Sequence, residues 1–360
     1  MDKFQDMLKD IVPETLKLLE RRYLILQTVS HLSPVGRRSL SEVLGLGERV
    51  IRSELDSLRD VGLLTAGVGG VMLTPRGTEI LSAMTPYLKQ LLGITRLEQK
   101  LSELLGIPRV VVVPGDCDSN PLLVRELGRA AARQLEKEVR HGDIIAITGG
   151  TTMAQVASSV RNQSRDVIVV PGRGGLGERV ELQANTIAAQ LGQCLGGNYY
   201  LLHAPDHLPP QARAELVREP GIAQVLSYIQ RARILVHGIG SARDMASRRG
   251  VGADRISELE AQGAVAEAFG YYFDSQGNIV WQVNSIGLRL SDLPHIEFIM
   301  AVAGGRGKAR AIAAVAGHHT QHLLVTDQGA AEEIQQLLNS HPSPLAKNNE
   351  EDSDDSKSSY

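Results

Sequence analysis

The sequence predicts an α/β protein in which a small helical N-terminal part precedes a larger, doubly wound domain. The chain has 360 residues, more than the roughly 100–200 that one domain usually takes. Short helical patterns fill residues 1–75. From Pro108 onward, short apolar runs alternate with amphipathic helices, as in parallel sheets covered on both faces. These runs lie at residues 110–113, 144–147, 167–170, 234–236, 299–302 and 323–325.

Composition excludes several classes of protein. The chain is 42% hydrophobic and 22% charged with a net charge of −3, which is typical of a folded globular protein. No apolar run is long enough to span a membrane. The start, Met1-Asp2-Lys3-Phe4, lacks the pattern of a signal peptide, so we expect a cytoplasmic location. Two cysteines are too few for a disulfide scaffold, and the near-neutral charge disfavours indiscriminate coating of nucleic acid.

The first 75 residues predict three helices followed by a hairpin. An apolar face at residues 21–29 indicates the first helix, and Ser39, with Glu42 three residues later, is expected to cap a second helix over residues 40–44. Residues 48–61 form the third predicted helix. A glycine-tipped hairpin is expected over residues 65–74. This order is typical of a winged helix-turn-helix domain, which places its third helix in the major groove of DNA.

Arginine is the only cation in this segment. Residues 21–76 contain eight arginines and five acids, a local charge of +3. Ile51, Leu55 and Leu58 share one face of the third helix and should be buried, which leaves the opposite face for base edges or phosphates. We assign base reading to Arg49, Arg52 and Ser53, and phosphate contacts to Arg37 and Arg38. The alternative is a helical interaction module whose arginines are merely solvated.

A long helical stretch is predicted over residues 76–106. Tyr87, Ile94, Leu97, Leu101 and Leu104 follow heptad spacing, which a dimerising linker helix would need. The same stripe could instead pack against its own C-terminal domain, and two heptads do not decide between these readings.

Glycine-rich loops follow three predicted strands, at residues 148–152, 172–177 and 303–308. Open α/β sheets bind ligands at this edge. The first loop combines Gly149, Gly150, Thr151 and Thr152 at a helix N-terminus, an arrangement that suits a phosphate group. The other two loops each carry a cation, Arg173 or Lys308.

Further polar residues predict that the ligand is a phosphorylated sugar, which could carry a phosphate at each end. Arg248 adds a cation, while Glu267 and Gln183 could bond sugar hydroxyls. Residues 172–177 also match the G-x-G-x-x-G fingerprint of dinucleotide-binding proteins, but no acid follows about 20 residues on. The histidines at 318, 319 and 322 have no carboxylate or cysteine beside them, so we expect no metal site.

Several of these motifs together resemble the SorC class of sugar-responsive transcriptional repressors, within it the group that controls central glycolytic genes. The resemblance rests on residues 35–41, 48–50, 148–152, 173–178, 183–186, 237–240, 267–273 and 301–305 with Lys308, and extends to about residue 339. It implies a repressor that binds double-stranded operator DNA as a homodimer or homotetramer.

The resemblance also implies a ligand and a domain plan. Fructose-1,6-bisphosphate would be the effector, with one phosphate at the 148–152 loop and Arg173, Gln183, Arg248, Glu267 and Lys308 completing the site. The effector domain would resemble sugar-phosphate isomerases without their catalytic residues, so no cofactor and no enzymatic activity are expected. An isomerase with an attached winged helix is the alternative. The expected parts are residues 1–75, the linker 76–106, the effector domain 107–340 and a disordered acidic tail, 341–360.

Overall fold

The computed structural model describes residues 7, 10–175, 179–206, 208–316 and 320–340. The last glycine of the 172–177 motif, His318, His319 and the acidic tail lie outside these residues. The described chain divides into two compact units, residues up to 97 with 114–123 and residues 98–113 with those from 124 onward. Each unit has its own hydrophobic core, and none of the described helices is long and apolar enough to cross a lipid bilayer.

The first unit begins with three helices and a hairpin in the predicted order. The helices are α1 (Pro13–Leu32), α2 (Arg37–Leu44) and α3 (Glu48–Asp60), and the antiparallel strands are β1 (Leu64–Gly67) and β2 (Gly70–Leu73). Ile51, Leu55 and Leu58 of α3 are buried in one core with residues from α1, α2 and the hairpin, as the helical spacing predicted. Because this face is buried, the opposite face of α3 is turned toward solvent.

The start of α2 differs from the prediction. Ser39 does not cap the helix, because Gly36 is the N-cap residue and Arg37 and Arg38 already form the first turn. The extended backbone of Gly36 allows the helix to begin there without a side-chain cap. The two arginines therefore project from the start of a helix rather than from the preceding turn.

The linker is two helices, not the single helix that was predicted. Helix α4 (Pro75–Leu91) and α5 (Ile94–Leu105) are separated at Gly93, whose φ of 73° is left-handed and ends the helical path. The heptad spacing therefore does not form one continuous seam. Ile94 and Leu101 are buried within the chain, whereas Tyr87 is 68% exposed.

The second unit contains a parallel sheet of seven strands in the described residues, in the order β3-β13-β12-β7-β4-β5-β6. All six predicted runs form strands of this sheet: β3 (Arg109–Val113), β4 (Ile144–Ile147), β5 (Ile168–Pro171), β7 (Ile234–Gly238), β12 (Phe298–Val302) and β13 (Leu323–Asp327). The edge strand β6 (Asn198–Tyr199) was not predicted. The helices that follow β3 are α6 (Leu123–Glu138), α7 (Thr151–Ser159), α8 (Ala184–Cys194), α9 (Pro210–Leu216), α10 (Pro220–Gln230), α11 (Ala242–Arg248), α12 (Ala253–Ala261), α13 (Ala309–Ala316) and α14 (Gln328–Ser340).

A second, antiparallel sheet extends the domain. It has the order β11-β10-β9-β8 and comprises β8 (Gly240–Ser241), β9 (Ala266–Ala268), β10 (Tyr271–Phe273) and β11 (Ile279–Gln282). The predicted antiparallel addition after residue 277 is β11, which pairs with β10. Strand β8 follows β7 almost directly, so this sheet begins at the carboxyl edge of the parallel sheet.

The strand order reverses between β4 and β7. From β4 the chain proceeds outward to β5 and β6, and from β7 it proceeds the other way to β12 and β13. In open α/β sheets, a crevice forms at such a point because the loops after the two central strands diverge. The first glycine-rich loop follows β4 and therefore lies at this crevice.

Candidate functional site

The outward face of α3 carries the predicted base-reading residues. Arg49, Arg52 and Ser53 are exposed near the start of the helix. Arg52 contacts Asp56 at 3.9 Å, and Arg38 on α2 contacts Glu48 at 3.7 Å. Exposed ion pairs of this kind contribute little stability, so these arginines can exchange their partners for phosphate or base edges at small cost.

Two arginines of this unit are engaged within the protein. Arg21 and Arg22 on α1 both contact the carboxylate of Glu54, each at 2.7 Å, and Glu54 is 6% exposed. Glu54 lies on α3 beside the core face. The contacts tie α1 to α3 and help to fix the rotation at which α3 presents its exposed face.

In the second unit, a cavity of about 380 Å³ opens at the predicted crevice. Every effector-binding residue predicted from the sequence lines it: Gly149, Gly150, Thr151, Thr152, Arg173, Gln183, Arg248, Glu267 and Lys308. They come from the loops after β4, β5 and β12, from the start of α8, from the end of α11 and from β9. The fold thus brings together side chains that are up to 159 positions apart in the chain.

The loop after β4 presents the start of α7 to this cavity. Gly150 is the N-cap residue, with φ of 113°, a conformation that glycine adopts readily. Its N–H donates to the carbonyl of Leu182 at 2.8 Å, so it is already engaged. The N–H and hydroxyl groups of Thr151 and Thr152 lie at the positive end of the helix dipole, an arrangement that can accept an anionic group beside Gly149.

In the described part of the loop after β5, residues 172–175, the glycine N–H groups are bonded within the protein. The N–H groups of Gly172, Gly174 and Gly175 donate to the carbonyls of Ile147, Ile286 and Ala204 at 2.7, 3.1 and 2.9 Å. A pyrophosphate would need such N–H groups free. Close backbone packing requires at least one of these glycines, because a Cβ on Gly174 would lie 2.5 Å from the Ala204 oxygen.

The floor of the cavity contains four buried charges. Arg173 contacts Asp206 at 2.6 Å and Glu267 at 3.3 Å, while Arg249 contacts the same two carboxylates at 2.8 and 2.9 Å. The hydroxyl of Tyr272 accepts a further hydrogen bond from Arg249 at 3.1 Å. We call Arg173, Arg249, Asp206 and Glu267 the buried quartet.

Burial lowers and the nearby carboxylates raise the pKa of both guanidinium groups, but the net shifts have opposite directions. Burial lowers the pKa of Arg173 despite the nearby carboxylates of Asp206 and Glu267. Burial also acts on Arg249, but the carboxylates of Glu267 and Asp206 outweigh it and raise the pKa of Arg249. Arginine remains charged at neutral pH in either case. The quartet therefore consists of two cations and two anions.

Sequence reasoning missed half of this quartet. The sequence predicts Arg248 as a third cation beside Arg173 and Lys308. The structure leaves Arg248 exposed at the cavity wall and buries the side chain of its neighbour Arg249. Asp206 lies between β6 and α9 and belongs to no recognisable motif. The sequence signal that could have indicated Arg249 is its position next to Arg248. Adjacent residues at the end of a helix point in different directions, so either arginine of the pair could have entered the cavity floor.

His237 lies at the end of β7, beneath Phe269 of the cavity wall. Its ring is fully buried and packs on that of Phe269, with centroids 4.3 Å apart, while Nδ1 lies 3.1 Å from the Gly238 oxygen. Burial lowers the pKa of His237 from 6.5 to about 4. The ring is therefore neutral in the folded protein at physiological pH.

This burial predicts a pH-dependent stability. Between its unfolded pKa of 6.5 and its folded pKa of about 4, His237 binds a proton only in the unfolded chain. The stability it contributes is complete above pH 6.5 and is lost as the pH falls, by about 2 kcal/mol between pH 7 and pH 5. Thermal unfolding of the wild type and of His237→Gln over this range should show a shallower pH dependence for the variant. Equal slopes would contradict the buried, neutral histidine.

Together, an exposed arginine-bearing recognition helix and a polar cavity in an α/β domain define a transcriptional regulator with a ligand-binding domain. Family comparison agrees: residues 18–88 match the CggR N-terminal DNA binding domain, and residues 89–336 match the Sugar-bind model, a sugar-binding domain. The chain belongs to the SorC family of sugar-binding transcriptional regulators, in the branch of the central glycolytic genes regulators.

Individual relatives support this assignment. The chain is 41% identical to the central glycolytic genes regulator of Bacillus subtilis (strain 168), over 91% of this chain and 96% of that protein. The corresponding regulator of Priestia megaterium is 40% identical over the same shares. A solved SorC family regulator from Enterococcus faecalis matches with a TM-score of 0.62 and 39% identity, covering 66% of this chain and 99% of that one. The full-length sorbitol operon regulator SorC from Klebsiella pneumoniae, 20% identical, shares the fold with a TM-score of 0.60 over 88% of this chain and 99% of that one.

Proposed function

We propose that this protein represses central glycolytic genes and leaves its operator when fructose-1,6-bisphosphate binds in the second unit. The observation that carries the proposal is the single cavity into which the fold gathers all nine expected effector residues. The relatives named for central glycolytic genes supply the gene class. We further propose that the protein works as a homodimer or homotetramer in the cytoplasm, as a binding protein without catalysis.

The cavity suits a sugar with more than one phosphate. Thr151 and Thr152 at the start of α7 offer donors for one anionic group, and Lys308 and Arg248 supply cations on other walls. The carboxylate of Glu267, which also lines the cavity, can accept hydrogen bonds from sugar hydroxyls. Phosphate donors and a hydroxyl acceptor in one cavity of about 380 Å³ match the chemistry of a sugar bisphosphate.

Thermal unfolding with a matched set of ligands tests the effector assignment. Fructose-1,6-bisphosphate should raise the apparent melting temperature more than fructose-6-phosphate, which is the same sugar with one phosphate fewer, because a ligand that binds only the folded state stabilises it by mass action. NADH should cause no shift, since the N–H groups of Gly172, Gly174 and Gly175 after β5 are already bonded. No response to any sugar phosphate, or a response to NADH alone, would contradict the proposal.

A further inference from the structure

Asp206 bridges the two arginines of the buried quartet. Its Oδ1 lies 2.6 Å from Nη2 of Arg173, and its Oδ2 lies 2.8 Å from Nε of Arg249. The side chain is 6% exposed and lines the cavity. Two guanidinium groups that converge on the oxygens of one acid form an arrangement that a phosphate can also accept, because arginine donors match carboxylate and phosphate geometry alike.

The two acids of the quartet are held differently. Glu267 also accepts the N–H of Gly270 at 2.6 Å, within the turn between β9 and β10, so the backbone fixes it. Among the described residues, the carboxylate of Asp206 bonds only Arg173 and Arg249. The carboxylate of Asp206 can therefore move away from the two arginines without breaking a hydrogen bond to the backbone, whereas that of Glu267 cannot.

Arg173 has an unused donor in this arrangement. Its Nε is buried and has no hydrogen-bond partner among the described residues, while Nη2 also donates to Ser285 at 3.0 Å. A buried donor without a partner costs free energy, so further acceptor oxygens would stabilise this guanidinium group. The present set of partners is not the best that Arg173 can have.

We infer that Asp206 is a built-in competitor of the ligand. Its carboxylate engages donors of Arg173 and Arg249 that an anionic group of the ligand would otherwise take, and the ligand must displace it. Asp206 thereby lowers the affinity of the cavity for anionic sugars. The inference rests on the proposed sugar-phosphate-binding function and adds to it the residue that sets its affinity.

Segment 204–206 connects this competition to the backbone. The Asp206 N–H donates to the Gly175 oxygen at 2.9 Å, and the Gly175 N–H donates to the Ala204 oxygen at 2.9 Å. When the carboxylate loses its two cations, this segment loses its ion pairs with the cavity floor and keeps only its backbone contacts to Gly175. Ligand binding should therefore loosen residues 204–206.

Isothermal titration calorimetry with fructose-1,6-bisphosphate tests the inference on the full chain. Asp206→Asn should bind at least about tenfold more tightly than the wild type, because it leaves a buried positive charge for the ligand to pair. Asp244→Asn is the matched control: Asp244 lines the same cavity, but its carboxylate accepts from Ser241 rather than from the quartet. It should tighten binding much less than Asp206→Asn does.

The outcomes separate this inference from the function on which it rests. Unchanged or weaker binding by Asp206→Asn, or equal tightening by both variants, would overturn the inference while wild-type binding still supports the proposed function. Absence of binding by every protein would overturn both.

Hydrogen exchange on the wild type gives a second readout should Asp206→Asn not fold. Ligand should speed exchange at the Asp206 amide if the carboxylate is displaced. Slower exchange there would mean that Asp206 stays in place as a positioning residue, and would overturn the inference.

Discussion

Replacing Arg49 and Arg52 together by alanine should weaken binding to operator DNA by roughly a thousandfold per protomer. Both side chains are exposed near the start of α3, and neither contributes to the core that Ile51, Leu55 and Leu58 form on the opposite face. Each bidentate arginine–guanine contact is worth about 1–3 kcal/mol of discrimination, so the loss of two removes most of the specific binding energy. The change in affinity is measured by fluorescence anisotropy with DNA from upstream of the glycolytic genes in the genome that encodes this protein.

Arg59→Ala is the matched control for this double variant. Arg59 lies on the same helix but in its last turn, where it pairs with Asp56. Its replacement should change operator affinity by less than about threefold, since a recognition helix reads bases through its N-terminal residues. An equal loss per arginine removed in the two proteins would indicate a general charge effect. A loss of sugar-phosphate binding in the double variant would contradict the separation of the two sites.

Lys308→Met should reduce affinity for fructose-1,6-bisphosphate by about a hundredfold and leave operator binding without the ligand unchanged. Lys308 lines the cavity at the end of the loop after β12. In the described part of the chain it forms no ion pair, so its full charge is available to an anionic group. A hydrogen bond to a charged group contributes about 1.5–3 kcal/mol, which sets the expected size of the loss. Calorimetry with the purified chain measures it.

Arg306→Met provides the comparison within the same loop. Arg306 contacts Glu332 and Glu333 on α14, both at 3.1 Å, and does not line the cavity. Its loss should leave ligand affinity within about twofold, because an exposed ion pair contributes little. If Arg306→Met weakened ligand binding as much as Lys308→Met, both substitutions would be acting by disturbing the loop. The prediction that Lys308 contacts the ligand directly would then be wrong.

The elements that could be predicted from sequence are those with strong local signals. Apolar runs such as residues 144–147 have few alternatives to a buried parallel strand, and the spacing of Ile51, Leu55 and Leu58 fixes the buried face of α3. The edge strand β6 has only two residues, Asn198 and Tyr199, both exposed, so no apolar pattern could reveal it. Likewise, heptad spacing continues through Gly93 although the helix does not.

The candidate site was only partly predictable, for a reason that lies in tertiary structure. Glycine loops after strands indicate where the cavity is, because the carboxyl edge of the sheet collects them. The contact between Asp206 and Arg249 joins residues 43 positions apart and depends on how two loops meet. Conversely, residues 172–177 match the sequence pattern of a dinucleotide-binding loop, yet the glycine N–H groups that the structure describes there donate to carbonyls of the chain itself. The spacing of residues along the chain shows neither the Asp206–Arg249 contact nor the hydrogen bonds of these glycine N–H groups.

Control of DNA binding by a ligand in the second unit can be measured in one titration. Operator DNA labelled with a fluorophore is bound by the full chain, and fructose-1,6-bisphosphate is then added while anisotropy is recorded, with fructose-6-phosphate in a parallel experiment. We expect the bisphosphate to lower operator affinity at concentrations where it saturates the cavity, and Lys308→Met to require far more of it. Unchanged operator affinity at a saturating concentration of the bisphosphate would mean that the ligand does not control DNA binding.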